Sequence, residues 1–259
     1  MPSEEQRSVI RFEHVKKVFG DHTVLDDLSL DIDRGEFVTM IGRSGCGKTT
    51  ALRLVNGLLK VDKGRVLVNG RDVADTDPVA LRHSIGYAIQ GVGLFPHMTV
   101  EKNIAYVPSI SGMPGWKGKE RLHKAETLLK SVGLEPELAK RYPRSLSGGQ
   151  RQRVGIARVL AADPEILLMD EPFGAVDEIT RMNLQEEILR IHRERRITIL
   201  FVTHDIAEAV RLGTHMLILA DGSLQQYAHP EEVLEHPATP AVEDLVCHSR
   251  ELHVRKMEM

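Results

Sequence analysis

The chain has 259 residues, 42% of them apolar, and 34 Lys and Arg against 37 Asp and Glu give a formal net charge of −3. That length supports one large domain or a domain with a sizeable insertion, and without a polybasic block the composition does not point to nucleic acid. Cys46 and Cys247 lie too far apart in sequence to suggest a disulfide framework or a paired metal site, no run of 18 apolar residues is present, and the opening MPSEEQRSVIRFEH has no apolar signal core; the expectation is an intracellular, reducing setting without a membrane span.

Alternating apolar and polar residues from Val9 to Leu30 predict an antiparallel β layer. Phe37 to Ile41 is a continuous apolar run of strand length, and similar runs follow at Arg65 to Val68, Ile85 to Ile89, Ile166 to Met169, Thr198 to Val202 and Met216 to Leu219. Most read as strands buried on both faces, as in a parallel sheet. Helical patterns lie between them, for example Ile179 to Arg195, where Leu184, Ile188 and Ile191 share one face. The predicted fold class is α/β with a mainly parallel sheet. From about residue 91 to 161 the pattern is helical, clearest from Lys119 to Val132, and broken by SGMPGWKG and RYPRS. This stretch is expected to be a helical subdomain inserted in a domain spanning 1–245, with 246–259 as a short tail.

After the strand FVTMI come Gly42, Arg43, Ser44, Gly45, Cys46, Gly47, Lys48, Thr49 and Thr50, then ALRLVNGLL, so a glycine-rich loop joins a strand to a helix. This is the P-loop pattern in the context it needs. Its backbone N–H groups are expected to wrap a β-phosphate, reinforced by the positive end of the helix dipole. Lys48 would reach the β and γ oxygens, and Thr49 would ligate magnesium. The predicted ligands are therefore ATP and Mg2+. The later strand Ile166 to Met169 delivers Asp170 and Glu171 at its C-terminal end, the edge where open α/β sheets bind ligands. Asp170 is expected to orient the magnesium through water, and Glu171 to polarise the water attacking the γ-phosphate.

Leu146-Ser147-Gly148-Gly149-Gln150, followed by RQRVGIARVLAADP and the acid-ended strand, resembles the signature of ABC ATPases. Physically, a polar Ser-Gly-Gly turn opening a helix offers Ser147 and free N–H groups to an anion. The resemblance implies a P-loop NTPase core of the ABC ATPase kind, with the antiparallel β layer and the inserted helical subdomain. It also implies a head-to-tail pair of copies, in which this turn holds the γ-phosphate of ATP bound to the other copy. Four further positions match the family in order. Phe19 in FEHVKKVFG matches the aromatic that stacks on adenine, Gln90 the residue touching magnesium and the attacking water, Asp177 in Gly174-Ala-Val-Asp177 the D-loop, and His204 the switch histidine on the γ-phosphate. Taken singly, Phe19 reads as a core aromatic, Gln90 as a surface amide and His204 as a structural or exposed histidine. Their spacing around two strong motifs sets them apart. Two departures bear on subunit contacts: Val176 stands where the family more often has Leu, and Gly91-Val-Gly follows Gln90 where bulkier residues are frequent.

Within that family, DPVALRHSIGYAIQGVGLFPHMTVEKNIAYVP and MDEPFGAVDEITRMNLQEEIL most resemble the ATPases of osmoprotectant importers, which carry glycine betaine, choline or carnitine. The implied partners are integral-membrane permease subunits, a solute-binding protein and a second ATPase copy, with no nucleic acid, at the cytoplasmic face of the inner or plasma membrane. An importer of polar amino acids is the alternative. A non-transport ABC ATPase would call for coiled-coil or zinc-bearing insertions or a second cassette, none of which the sequence shows. The run after PEEVLEHPATPAVEDLV is too short for a regulatory pair of nucleotide-binding repeats, so such regulation within this chain is not expected. Val92, Leu94, Phe95, Pro96 and Met98 place apolar surface in a loop. They either line a groove for a helix of the membrane subunit or pack the helical subdomain onto the core.

Overall fold

The computed structural model describes residues 8–89, 91, 93–174 and 177–247. The chain divides into two compact units: one runs up to Leu81 and resumes at Thr198, and the other is Arg82–Ile197.

In the first unit, β1 (Ser8–Phe19) and β2 (His22–Asp33) form an antiparallel hairpin with Phe19 opposite His22. Strand β4 (Lys63–Val68) pairs with β1, and β5 (Arg71–Asp72) with β4, giving the order β2-β1-β4-β5. Alternation decides the two faces of this layer. Ile10, Phe12, Leu28, Leu30 and Ile32 are buried. Opposite charges meet across the strands elsewhere, Arg11 with Asp31, Arg65 with Glu13 and Lys16 with Asp26.

Strand β3 (Phe37–Ile41) is buried at every residue, Thr39 included, as its apolar run predicts. It lies between parallel neighbours β8 (Thr198–Val202) and β9 (His215–Ala220), with Met40 opposite Val202 and Ile41 opposite Ile218. Strand β10 (Ser223–Ala228) then turns back antiparallel to β9. Helices α1 (Lys48–Val55) and α8 (Ile206–Leu212) begin shortly after the C-terminal ends of β3 and β8, while α2 (Pro78–Ser84) carries the chain into the other unit. Val233 of α9 (Pro230–Glu235) and Val242 and Val246 of a helical stretch at 240–247 complete an apolar cluster with Ile41, Ile206, Ala209, Met216 and Ile218.

The second unit has β6 (Ile85–Ala88) parallel to β7 (Ile166–Asp170), Ile85 facing Ile166 and Ala88 facing Met169. Between them come α3 (Val100–Ile104), α4 (Tyr106–Ile110), α5 (Gly118–Ser131), two short 3-10 turns at Pro136–Lys140 and Pro143–Ser145, and α6 (Gly148–Leu160). No described residue from 91 to 161 lies in a strand. Helix α7 (Glu178–Arg195) follows β7 and ends at Arg196, whose backbone is left-handed at φ 52°. Its buried side includes Leu184, Ile188 and Ile191, the three residues whose spacing predicts it. Among the described residues no helix is long and apolar enough to cross a membrane.

Candidate functional site

The glycine-rich loop sits where β3 gives way to α1, in the first unit. Two of its glycines are required by crowding. A Cβ on Gly42 would lie 2.2 Å from the carbonyl oxygen of Leu219, and one on Gly47 would lie 2.6 Å from Leu25 Cδ2 while the backbone holds φ at 106°. Gly45 has open space around it and is needed only for its φ of 84°. Gly47 is the N-cap of α1, so no side chain caps that helix, and its first turn carries no acidic residue. The amide groups of the first turn and their partial positive charge therefore suit an anion.

Lys48, 8% exposed, completes this arrangement. Its Nζ donates to the carbonyl oxygens of Gly42 at 2.7 Å and Arg43 at 3.0 Å, with Cys46 Sγ at 3.7 Å. The ammonium is thus curled back onto the loop it serves. Arg43, Ser44 and Gly45 are exposed, Cys46 and Gly47 are buried, and Thr49 and Thr50 are half-buried.

Two other predicted positions belong to the same unit. Phe19, at the end of β1, is 47% exposed, so it is not a core aromatic, and Lys17 Nζ lies 5.3 Å from its ring centre. His204 is exposed in the turn between β8 and α8. Asp205 caps that helix, its Oδ1 accepting from the N–H groups of Ala207 at 2.9 Å and Glu208 at 3.3 Å.

The second unit carries the acids and the signature turn. Asp170 ends β7 at 3% exposure, and Glu171 follows with φ at 46°. A left-handed non-glycine residue ends the extended run of β7 and costs about 1 kcal/mol or more. Ser147 is the N-cap of α6 in a capping box: its Oγ accepts from Gln150 N–H at 3.2 Å, and Gln150 Oε1 accepts from Ser147 N–H at 2.9 Å. Two donors that the Ser-Gly-Gly turn offers an anion are therefore engaged within the turn. Gly148 and Gly149 open the helix beside them, and the Ser147 hydroxyl keeps its hydrogen to donate. Leu146 is buried, and its carbonyl accepts from Arg151 at 2.6 Å. Asp177 is the N-cap of α7, accepting from Thr180 N–H at 3.0 Å, a bond that holds its carboxyl below the usual carboxylate range.

Gln90, Val92, Ala175 and Val176 lie outside the described residues. Among the described residues no group of three His, Cys, Asp or Glu could hold a metal ion. Thr49 in the first unit carries a hydroxyl and Asp170 in the second a carboxylate, each a hard oxygen of the type magnesium takes.

The sequence did not reveal how the loop before α3 is held. Asn103, fully buried, accepts from Phe95 N–H at 2.7 Å and donates to the carbonyls of Phe95, Met98 and Thr99 at 3.1 to 3.2 Å. The Phe95 ring rests on Tyr106 with centres 4.7 Å apart.

Comparison with known proteins gives a family match to "ABC transporter" over residues 25–174, more than half of the chain. A carnitine transport ATP-binding protein of Listeria monocytogenes, OpuCA, is 46% identical over 239 residues, 92% of this chain and 59% of that protein. This chain thus spans less than two thirds of that relative's length. The glycine betaine uptake system ATP-binding protein YehX of Escherichia coli is 44% identical over 251 residues, 97% of this chain and 80% of that one. Among solved structures, the dimeric ATP-binding cassette MJ0796 in a post-hydrolysis state with ADP and Pi is similar at a TM-score of 0.79 and 33% identity, over 85% of this chain and 98% of that one.

Proposed function

This chain belongs to the ABC transporter family, and from that premise we propose that it is the ATP-binding and ATP-hydrolysing subunit of an importer for a quaternary-amine osmoprotectant. The observation that carries the ATP reading is the loop from Gly42 to Thr50, whose glycines admit the backbone close to a ligand and whose lysine is folded back on its carbonyls. Relatives named for carnitine transport and glycine betaine uptake support the solute class.

Each residue has a task in this reading. A triphosphate brings charged acceptors that draw the Lys48 ammonium from the neutral carbonyls of Gly42 and Arg43, since charge-assisted hydrogen bonds are about twice as strong. Thr49 and Asp170 would hold magnesium, which when bound would neutralise charge on the phosphates. Glu171 polarises the attacking water and receives its proton. His204 contacts the γ-phosphate, Phe19 offers an exposed ring face to adenine, and Gln90, outside the described residues, keeps the role the resemblance implies, toward magnesium and the attacking water. The turn at Ser147, Gly148 and Gly149 serves the nucleotide of a second copy, and Asp177 takes the D-loop part at that junction. The ADP-and-Pi dimer of MJ0796 supports such pairing. The further partners are integral-membrane permease subunits, against which the chain works from the cytoplasmic side, and a solute-binding protein.

The test is ATP hydrolysis by the chain reconstituted with its co-purifying permease and binding protein. Carnitine, choline or glycine betaine should raise turnover several-fold. Stimulation by polar amino acids instead would shift the assignment to that importer class, and failure of the chain to bind ATP would remove the reading altogether.

A further inference from the structure

The turn that presents His204 is closed by a hydrogen-bonded ring that none of the predicted roles uses. Thr203, 1% exposed, still belongs to the sheet, because its N–H donates to the Met40 carbonyl of β3 at 3.2 Å. Its Oγ1 faces the other way, accepting from Asp205 N–H at 3.0 Å and donating to Glu208 Oε2 at 2.5 Å. Glu208 is 9% exposed on α8, and its own N–H donates to Asp205 Oδ1 at 3.3 Å. The three side chains thus bracket His204 from both sides of its peptide, and tie it to the strand that delivers the phosphate loop.

We propose that Thr203 and Glu208 are positioning residues for His204: they fix the turn so that the imidazole meets the γ-phosphate in one place. A buried carboxylate is costly to desolvate, and α8 does not need it, being only seven residues long and already capped by Asp205. The effect of the Thr203–Glu208 bond falls on the Thr203–Asp205 link that spans His204. A γ-phosphate contact rewards such restraint, because a displacement of about 1 Å can cost on the order of 100-fold in rate. The proposal rests on the reading of His204 as a γ-phosphate contact, and the experiment separates the two.

Steady-state ATP hydrolysis by the full chain is measured for His204→Ala, Thr203→Val, Thr203→Ser and the double variant Thr203→Val/His204→Ala. Thr203→Val keeps the shape and loses the hydroxyl, and should lower kcat by roughly 10-fold to 100-fold while KM for ATP stays within about threefold. Thr203→Ser should recover most of kcat. The double variant should be no slower than His204→Ala alone, since without the imidazole the restraint has nothing left to place. Parental kcat in Thr203→Val, or losses that multiply in the double variant, would overturn the positioning role. Parental kcat in His204→Ala would sink the reading of His204 itself, whatever Thr203→Val does. Should Thr203→Val fail to fold, Glu208→Ala takes its place in the same cycle with the same expectations.

Discussion

Asn103 satisfies both backbone groups of Phe95, accepting its N–H at 2.7 Å and donating to its carbonyl at 3.1 Å, as a neighbouring strand would. With Phe95 also resting on Tyr106, the loop is anchored within its own unit. Asn103→Ala should lower unfolding stability by about 2 to 3 kcal/mol, because it removes the side-chain partner of the Phe95 N–H and of the Met98 carbonyl, while the carbonyls of Phe95 and Thr99 keep the N–H groups of Met98 and Asn103. Asn103→Asp should be worse, since it buries a negative charge against those carbonyl oxygens. Urea denaturation of the purified variants reads both effects, and a midpoint unchanged in Asn103→Ala would remove this anchor.

The loop glycines should separate into two classes. At Gly47 a Cβ meets Leu25 and Val24 as well as a left-handed backbone, so Gly47→Ala should abolish nucleotide binding and cost about 3 kcal/mol or more. At Gly45 only the backbone objects, so Gly45→Ala should cost about 1 to 2 kcal/mol and leave weakened but measurable binding. Thermal unfolding with and without Mg-ATP gives both numbers, and equal losses at the two positions would contradict the crowding argument.

Cys46 is buried within the loop, 3.7 Å from Lys48 Nζ, whereas Cys247 is exposed. In a Cys247→Ser background, maleimide should modify Cys46 slowly, and the product should no longer bind ATP. Mg-ATP should protect the thiol. Labelling at the same rate with and without nucleotide would place the bound phosphates elsewhere.

Glu171→Gln keeps the size of the side chain and can still hold a water, but it removes the carboxylate. Turnover should fall by at least about 100-fold while ATP affinity survives. Trapped ATP should then hold two copies together, so size-exclusion chromatography should show a dimer with ATP and a monomer with ADP. Parental hydrolysis would take Glu171 out of the mechanism, and an inactive monomer at saturating ATP would count against the shared site.

Strands β3 and β8 were legible to the residue because each is apolar but for one threonine and buried throughout. Strand β10 was not, since SLQQYA is half-exposed and carries no apolar periodicity. A signal for it existed in Asp221-Gly222, whose φ values of 48° and 75° make the tight turn from β9, just as Asn69-Gly70 makes the turn from β4 to β5. The glycine-rich loop between β3 and α1 was legible because its geometry is backbone geometry, written in glycines at fixed spacing. The pattern Ser147-x-x-Gln150 also spells a capping box, so the engagement of those two donors could have been foreseen. The Asn103 and Thr203–Glu208 networks could not, because each depends on where a side chain points after the fold has formed.

Strain at Glu171 has a consequence for anyone engineering this chain. A left-handed backbone, φ 46°, is more comfortable for Asn or Gly than for Glu, and relief of that conformation is worth up to about 1 kcal/mol. A library sorted only for heat resistance should therefore enrich Asn at this position and, on the role proposed for Glu171, return a sturdier chain with little turnover. Screens of this scaffold need an activity gate beside the thermal one, because on that role heat tolerance and turnover select opposite residues.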